Sequence, residues 1–235
     1  ELAYYLWPDY TSSSARFAVR LEGADTAGTL TVHYGNPSAT TTSDGAAVFP
    51  FFDDFPGDSL DGSKWTSTGG TAAVSGGILT YSTAGPQYYL TATSTFGVNY
   101  VWRARAKFDI VAGTDNFQSM GLSNKARYSS DYGDNNRREA RTIAAAHQAT
   151  TVNPSAGSYH IWEVQRNGTT NVIFKIDDST VATHATQVPS GAYAPEFSVK
   201  NAGRVYCDYV LIRAYSAPPP AAITFSGEQE NPSPP

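Results

Sequence analysis

A single cysteine, Cys207, stands in the whole chain, which excludes a disulfide framework and any cysteine-built metal site. It lies in VYCDYVLI, a β-like run in which a buried thiol behaves as a small hydrophobe. No run approaches the ~20 apolar residues of a membrane helix, so no direct membrane insertion is expected. No signal peptide opens the sequence, and the start at ELAYYLW reads as a cut from something longer. Basic charge is scarce as well. Sixteen Lys and Arg face 21 Asp and Glu, for a net charge of −5, which counts against a nucleic-acid partner. Charged residues total only 16%, below the usual ~25%. Helix formers are thin: Leu occurs nine times, Gln six times and Met once.

What is present points the other way. The 235 residues are 40% hydrophobic, with 25 Thr, 23 Ser, 15 Tyr, 20 Gly and 14 Pro. Such a chain can bury a sizeable core without disulfides. Many β-branched, aromatic and turn residues with few helix formers argue for an all-β protein. The Ser/Thr/Tyr-rich, Lys-poor texture is that of an exported, extracellular or cell-surface protein.

Three regions separate along the chain. Residues 1–49 hold short alternating runs, LAYYLW, ARFAVRLE and GTLTVHYG. In the second, Ala15, Phe17, Val19 and Leu21 share one face and Arg16 and Arg20 the other, the period of a half-buried strand. Three strands are few for a free-standing domain, so this partial β-sandwich segment must lean on something. Tyr4, Leu6, Phe17, Val19, Leu30 and Val32 are the residues expected to bury its face, on the next region or on a neighbouring subunit. The second outcome would make the chain a homo-oligomer through exposed N-terminal strands.

Residues 50–216 carry about nine further strands, which implies a sandwich or jelly roll. The pair WEVQR-NGT-TNVIFKID is the clearest hairpin, because Asn-Gly favours the left-handed turn between twisted strands. In NYVWRARAKFDI, Tyr100, Trp102, Ala104, Ala106 and Phe108 form a core face, with Val101, Arg103, Arg105, Lys107 and Asp109 opposite. AAAHQA alone invites a helix, and its flanks favour strand or loop. Beyond Ser216 the Pro-rich residues 217–235 read as a tail or linker.

Two resemblances follow from particular residues. FFDDFPGDSLDGSKW, then GGILTYS, NYVWRARAKF, YHIWEVQRNG, FKIDDSTV and CDYVLIRAY, resemble in order a concanavalin A-like (laminin G-like) jelly roll over roughly 165 residues. Upstream, ARFAVRLEGADTAGTLTVHYGNPSATTTSDGAAVF is similar to the C-terminal half of an uncharacterised β-sandwich domain of prokaryotic surface proteins. His33, Tyr34, Gly35, Asn36 and Pro37 carry its turn. That domain is usually followed by a concanavalin A-like module, as here.

Some proteins of the jelly-roll family are glycoside hydrolases, so the carboxylates bear on function. Retaining hydrolysis takes two carboxyls about 5–5.5 Å apart, and the family's catalytic strand reads Glu-x-Asp-x-x-Glu or close to it. None of the glutamates in 50–216, namely Glu139, Glu163 and Glu196, has an acidic residue at i+2 or i+4, the spacings that share a strand face. Carboxyls that meet across strands, such as Glu139 and Glu163, are the remaining route. His33, His147, His160 and His184 lack a Gly-x-Ser-x-Gly elbow. His160, alternating with Trp162 and Val164, reads as a half-buried structural histidine.

Binding offers more. Arg103 and Arg105 either pair with Glu139 and Glu163 on neighbouring strands or grip sugar hydroxyls or acidic glycans. The segment KARYSSDYGDNNRRE reads as a polar loop. Tyr128 and Tyr132 offer faces to a sugar ring, and Asp131, Asp134, Asn135 and Asn136 offer oxygens to a sugar or a metal ion. The jelly-roll resemblance implies a structural Ca²⁺ near Asp53 or Asp54 and Asp208, unless those aspartates cap turns. Asn167-Gly-Thr is the single glycosylation sequon.

The expectation is therefore an all-β chain: a concanavalin A-like jelly-roll sandwich behind a smaller N-terminal β-sandwich segment. It is expected to be a non-catalytic extracellular module that binds glycans or adheres. The alternatives are a structural subunit of a filament or surface layer, contacting neighbouring subunits, and a divergent glycoside hydrolase.

Overall fold

The computed structural model describes residues 2–7, 15–21, 38, 40, 42–109, 116–131, 134–155 and 157–216, with the backbone alone at 131 and 134–137. The expected strand GTLTVHYG, the His33–Pro37 turn and the 217–235 tail lie outside them.

The elements begin with β1 (Tyr4–Leu6), β2 (Phe17–Val19), the one-turn helix α1 (Gly45–Val48), β3 (Phe51–Asp53), β4 (Trp65–Ser67), β5 (Thr71–Ser75) and β6 (Ile78–Ser82). Next come β7 (Tyr88–Ala92), β8 (Tyr100–Phe108), β9 (Phe117–Leu122), β10 (Ala126–Asp131) and β11 (Asp134–Ile143). The chain then forms β12 (His147–Val152), β13 (His160–Asn167), β14 (Asn171–Ile176), β15 (Ser179–His184), β16 (Pro195–Lys200) and β17 (Arg204–Ala214). All pairings are antiparallel, in a seven-stranded sheet ordered β12-β11-β10-β9-β16-β7-β4 and an eight-stranded sheet ordered β15-β14-β13-β8-β17-β6-β5. The eighth strand, β3, pairs with β17 along Val210–Ile212, beyond the stretch that β6 uses.

The core lies between the two sheets and follows from strand periodicity. Trp102, Ala104, Ala106 and Phe108 of β8 point inward, as their alternation predicts, and share one apolar cluster with Met120, Leu122, Phe197 and Val199. Cys207 is buried there too. The expected hairpin closes with Asn167 opposite Asn171 and Gly168 at φ 56°. Between β14 and β15 the two linking residues, Asp177 and Asp178, both have positive φ (49° and 64°). That is the two-residue turn favoured by strand twist, and Asp tolerates it.

Three local expectations change. KARYSSDYGDNNRRE is a hairpin of β10 and β11, with Tyr128 opposite Ala140; Arg127, Ser129 and Glu139 lie on its outward face, and polar strands of this kind resemble a loop in composition. AAAHQA bends and then enters β12, with no helix. A one-turn helix appears instead at 45–48, because Asp44 accepts hydrogen bonds from Ala46 N and Ala47 N at its start.

The N-terminal strands β1 and β2 pair with each other, Tyr5 opposite Ala18. They dock on the outward face of the eight-stranded sheet, where Tyr5 packs with Phe49, Phe52, Tyr209 and Leu211, and Trp7 and Ala18 lie against that cluster. The buried face is thus the opposite of the expected one. Phe17 is 44% and Leu21 61% exposed. Tyr5 decides the outcome: once its ring seats on Phe52, pairing places Ala18 beneath and turns Leu6 and Phe17 away.

Candidate functional site

Outward residues of the seven-stranded sheet fall into rows set by its register. One row runs Thr66, Thr91, Glu196, Gly121, Arg127, Arg141. The next runs Tyr89, Ser198, Ser119, Ser129, Glu139, Thr151. Their alternating neighbours Leu90, Phe197, Met120, Tyr128 and Ala140 are core, so these rows face away from it. Hydroxyls, carboxylates and guanidinium groups dominate, the donors and acceptors that can answer a sugar's hydroxyls.

Glu196 stands out on this face. Thr91 Oγ1 donates to its Oε2 at 3.1 Å, while its Oε1 is buried with no protein partner among the described residues. Burial pushes its carboxyl above the usual range, and the Thr91 hydrogen bond and the Arg127 charge offset that only in part. Ser129 Oγ on the same face is also buried without a protein partner. Buried oxygens of this kind are rare and call for a water or a ligand. Gly121 leaves the row without a side chain between Glu196 and Arg127. It sits at φ 150°, and a Cβ there would come within 2.5 Å of Ala126 O.

The carboxyl pair Glu139 and Glu163 is not formed. Glu139 lies on the seven-stranded sheet, bonded by Arg141 Nη2, and Glu163 on β13 of the other sheet. Both point outward, so the sandwich separates them. Glu163 instead faces Arg103 across β8 and β13, Nη1 to Oε2 2.9 Å, with Arg213 Nη2 at 3.2 Å. Burial alone would raise its carboxyl, but Arg213 and Arg103 outweigh it and hold Glu163 below the usual range.

The remaining expected site residues scatter. Arg103 is enclosed in that ion network and also donates to Asp178 at 2.7 Å. Arg105 pairs with Asp208 at 2.5 Å. Tyr128 is fully buried between Trp162 and Phe174, and its hydroxyl donates to Lys175 O, so its ring has no face for a sugar. Asp131 ends β10 and Asn135 lies in β11, with side chains outside the described residues, as is Tyr132. Asp53, 1% exposed, accepts from Trp65 Nε1 at 2.6 Å and Phe55 N at 3.0 Å. Both its oxygens are engaged in holding the β3–β4 connection. Asp54 next to it is exposed. No cluster of three metal-ligating side chains occurs among the described residues. Asn167 begins the β13–β14 turn. His160 bonds Asp177 Oδ2 and Ser155 O. Among the described residues, no helix is long and apolar enough to cross a membrane.

Sequence reasoning passed over Glu196, although PEFSVK already shows the signal: Phe197 and Val199 alternate with Glu196, Ser198 and Lys200.

A family described only as a domain of unknown function, DUF2341, matches residues 1–68. No curated protein matches the chain. Solved structures do. A β-1,3-glucanase from Mycobacterium marinum is 17% identical, covers 70% of this chain and 98% of its own, with a TM-score of 0.56. A glycosyl hydrolase family 16 protein from Mycobacterium smegmatis is 15% identical over 70% and 100%, at 0.58. The Bacillus licheniformis β-glucanase is 12% identical over 68% and 95%, at 0.56. These neighbours correct the expectation of a non-catalytic module, since each is by name a glucanase or glycosyl hydrolase. That expectation rested on the lack of a single-strand carboxylate motif, with Glu139 and Glu163 as the cross-strand pair it weighed. The chain has the concanavalin A-like jelly-roll fold of these neighbours.

Proposed function

We propose that the chain acts on carbohydrate as a divergent glycoside hydrolase. The glycan lies on the outward face of the seven-stranded sheet, and Glu196 is the proton donor. The observation that carries this reading is the Glu196 carboxyl, raised above the usual range by burial and with one oxygen lacking a protein partner. A carboxyl whose pKa is raised by burial on a polar face is suited to general acid work.

Glu139 sits three strand spacings from Glu196 in sheet order, about 14 Å at ~4.8 Å per strand. That exceeds the separations of ordinary glycosidase pairs, so among the described side chains Glu139 is no partner for Glu196, and in this reading Glu196 serves both steps. Glu196 gives its proton to the glycosidic oxygen as the bond from that oxygen to the anomeric carbon breaks. Its carboxylate then takes a proton from the water whose oxygen bonds to that carbon, and the acid is restored. Water enters from the side the leaving group left, so the anomeric configuration is retained. A glycan substrate, the exported texture of the sequence and an extracellular or cell-surface location agree with one another.

The test is release of reducing ends from β-1,3-glucan, mixed-linkage β-glucan and β-galactan, with product anomers read by NMR. The expected result is new reducing ends of retained configuration from at least one polymer. Release from none, or an inverted product, overturns the reading.

A further inference from the structure

A second feature lies on the opposite face of the sandwich. Where the N-terminal ribbon meets the eight-stranded sheet there is a hollow of about 350 Å³, lined by Trp7, Arg105, Tyr159, His160, Asp177 and Asp208 over a floor of Ile161 and Tyr209. Small-molecule sites begin at about this volume.

Two departures from regular strand geometry and one residue of the N-terminal segment build it. The β17–β8 register shifts between Cys207 and Tyr209, so Asp208 is an extra residue in β17. Such a bulge re-aims side chains. Cys207 stays in the core, while Tyr209, opposite Arg105, joins the outward cluster. Asp177 belongs to the left-handed β14–β15 turn, and its carboxylate returns to His160 Nδ1 and Ile161 N. Trp7 is delivered by the N-terminal segment, its ring 5.3 Å from that of Tyr209.

The lining chemistry selects the ligand. Arg105 is matched by Asp208, and the Asp177 carboxylate is bonded by His160 Nδ1 and Ile161 N, so among the described residues the hollow offers no unpaired cation to an anionic ligand. Tyr159 is held by the guanidinium of Arg105 at 4.7 Å and the ammonium of Lys107 at 5.1 Å from its ring centre. Asp208 Oδ2 takes the Arg105 bond, and no bond to its other oxygen occurs among the described residues. Aromatic rings beside hydrogen-bonding groups of both kinds, with no unpaired cation to hold an acidic group, match an uncharged sugar. Its C–H face lies on the rings and its hydroxyls meet the carboxylates, imidazole and guanidinium.

We infer that this hollow binds one or two pyranose units of an uncharged glycan, as a holding site remote from the Glu196 face. The N-terminal segment is then part of a binding site as well as a packing element.

The test titrates the full chain with cellobiose, laminaribiose, xylobiose, mannobiose and galactobiose at up to millimolar concentration, following tryptophan fluorescence, which Trp7 reports. At least one disaccharide is expected to bind. Tyr159→Ala, a change in the connection ahead of β13, should weaken it about tenfold, the loss of one aromatic contact, with the thermal midpoint kept. Asp208→Asn should weaken it as well. Binding of no disaccharide, or binding indifferent to Tyr159→Ala and Asp208→Asn, overturns the inference. Hydrolysis reports separately on the Glu196 face, so the two readings fail independently.

Discussion

Arg103 and Glu163 face each other across β8 and β13 at 2.9 Å, on the sheet face that the N-terminal ribbon covers. Arg103 also reaches Asp178, and Arg213 also reaches Glu163. Gln165 Nε2 donates to the same carboxylate. The ribbon can bury this face only because its charges are matched beneath Trp7.

Removing one member leaves a charge stranded. Arg103→Met should destabilise the chain by about 3 kcal/mol, the low end for a broken buried pair because Arg213 remains. Urea unfolding measures it. A loss within about 0.5 kcal/mol, the range of ordinary surface changes, would show that the pair is inessential.

Glu196 and His184 should give stability slopes of opposite sign. Burial raises Glu196 in the folded chain, so its contribution is full below the unfolded value of about 4.3 and is lost as pH rises through the folded value. Glu196→Gln should therefore gain thermal midpoint relative to the native chain between pH 4 and 7. Burial between Thr142 and Thr150 holds His184 below its usual value. Its contribution is full above about 6.5 and is lost as pH falls through the folded value. His184→Gln should flatten the loss of midpoint on acidification from pH 7 to 5. Parallel midpoint curves for native chain and variants would contradict either assignment.

Gly121 should resist substitution. A Cβ would lie 2.5 Å from Ala126 O and 2.7 Å from Arg127 Cα, at φ 150°. Gly121→Ala should cost more than about 1 kcal/mol and disturb the Glu196–Arg127 row. A neutral effect by urea unfolding would mean that the strand relaxes freely there.

Much of this fold is legible in the sequence because strand period is local. The β8 faces, the Asn167–Gly168 turn and the buried Cys207 all follow from alternation and turn chemistry. The ribbon's buried face does not, because Phe17 and Val19 are the more apolar pair and only the tertiary contact of Tyr5 with Phe52 reverses the choice. Tyr128 misleads for a related reason: flanked by Arg127, Ser129 and Ser130 it resembles a loop aromatic, yet the strand turns it inward. The sites are harder still. Glu196 has its meaning from Thr91 and Arg127 on other strands, and Asp208 enters its hollow through a bulge that no periodic reading reveals.

The central claim is that Glu196 is the proton donor of a glycan-cleaving site, and the most direct measurement compares Glu196→Gln and Glu139→Gln with the native chain. The polymer is whichever the native chain cleaves fastest, followed by reducing-end release. The account predicts that Glu196→Gln lowers kcat/KM at least about a hundredfold, the scale of a lost general acid, while Glu139→Gln stays within a few-fold of native. Equal activity in Glu196→Gln, or loss in Glu139→Gln alone, would contradict it.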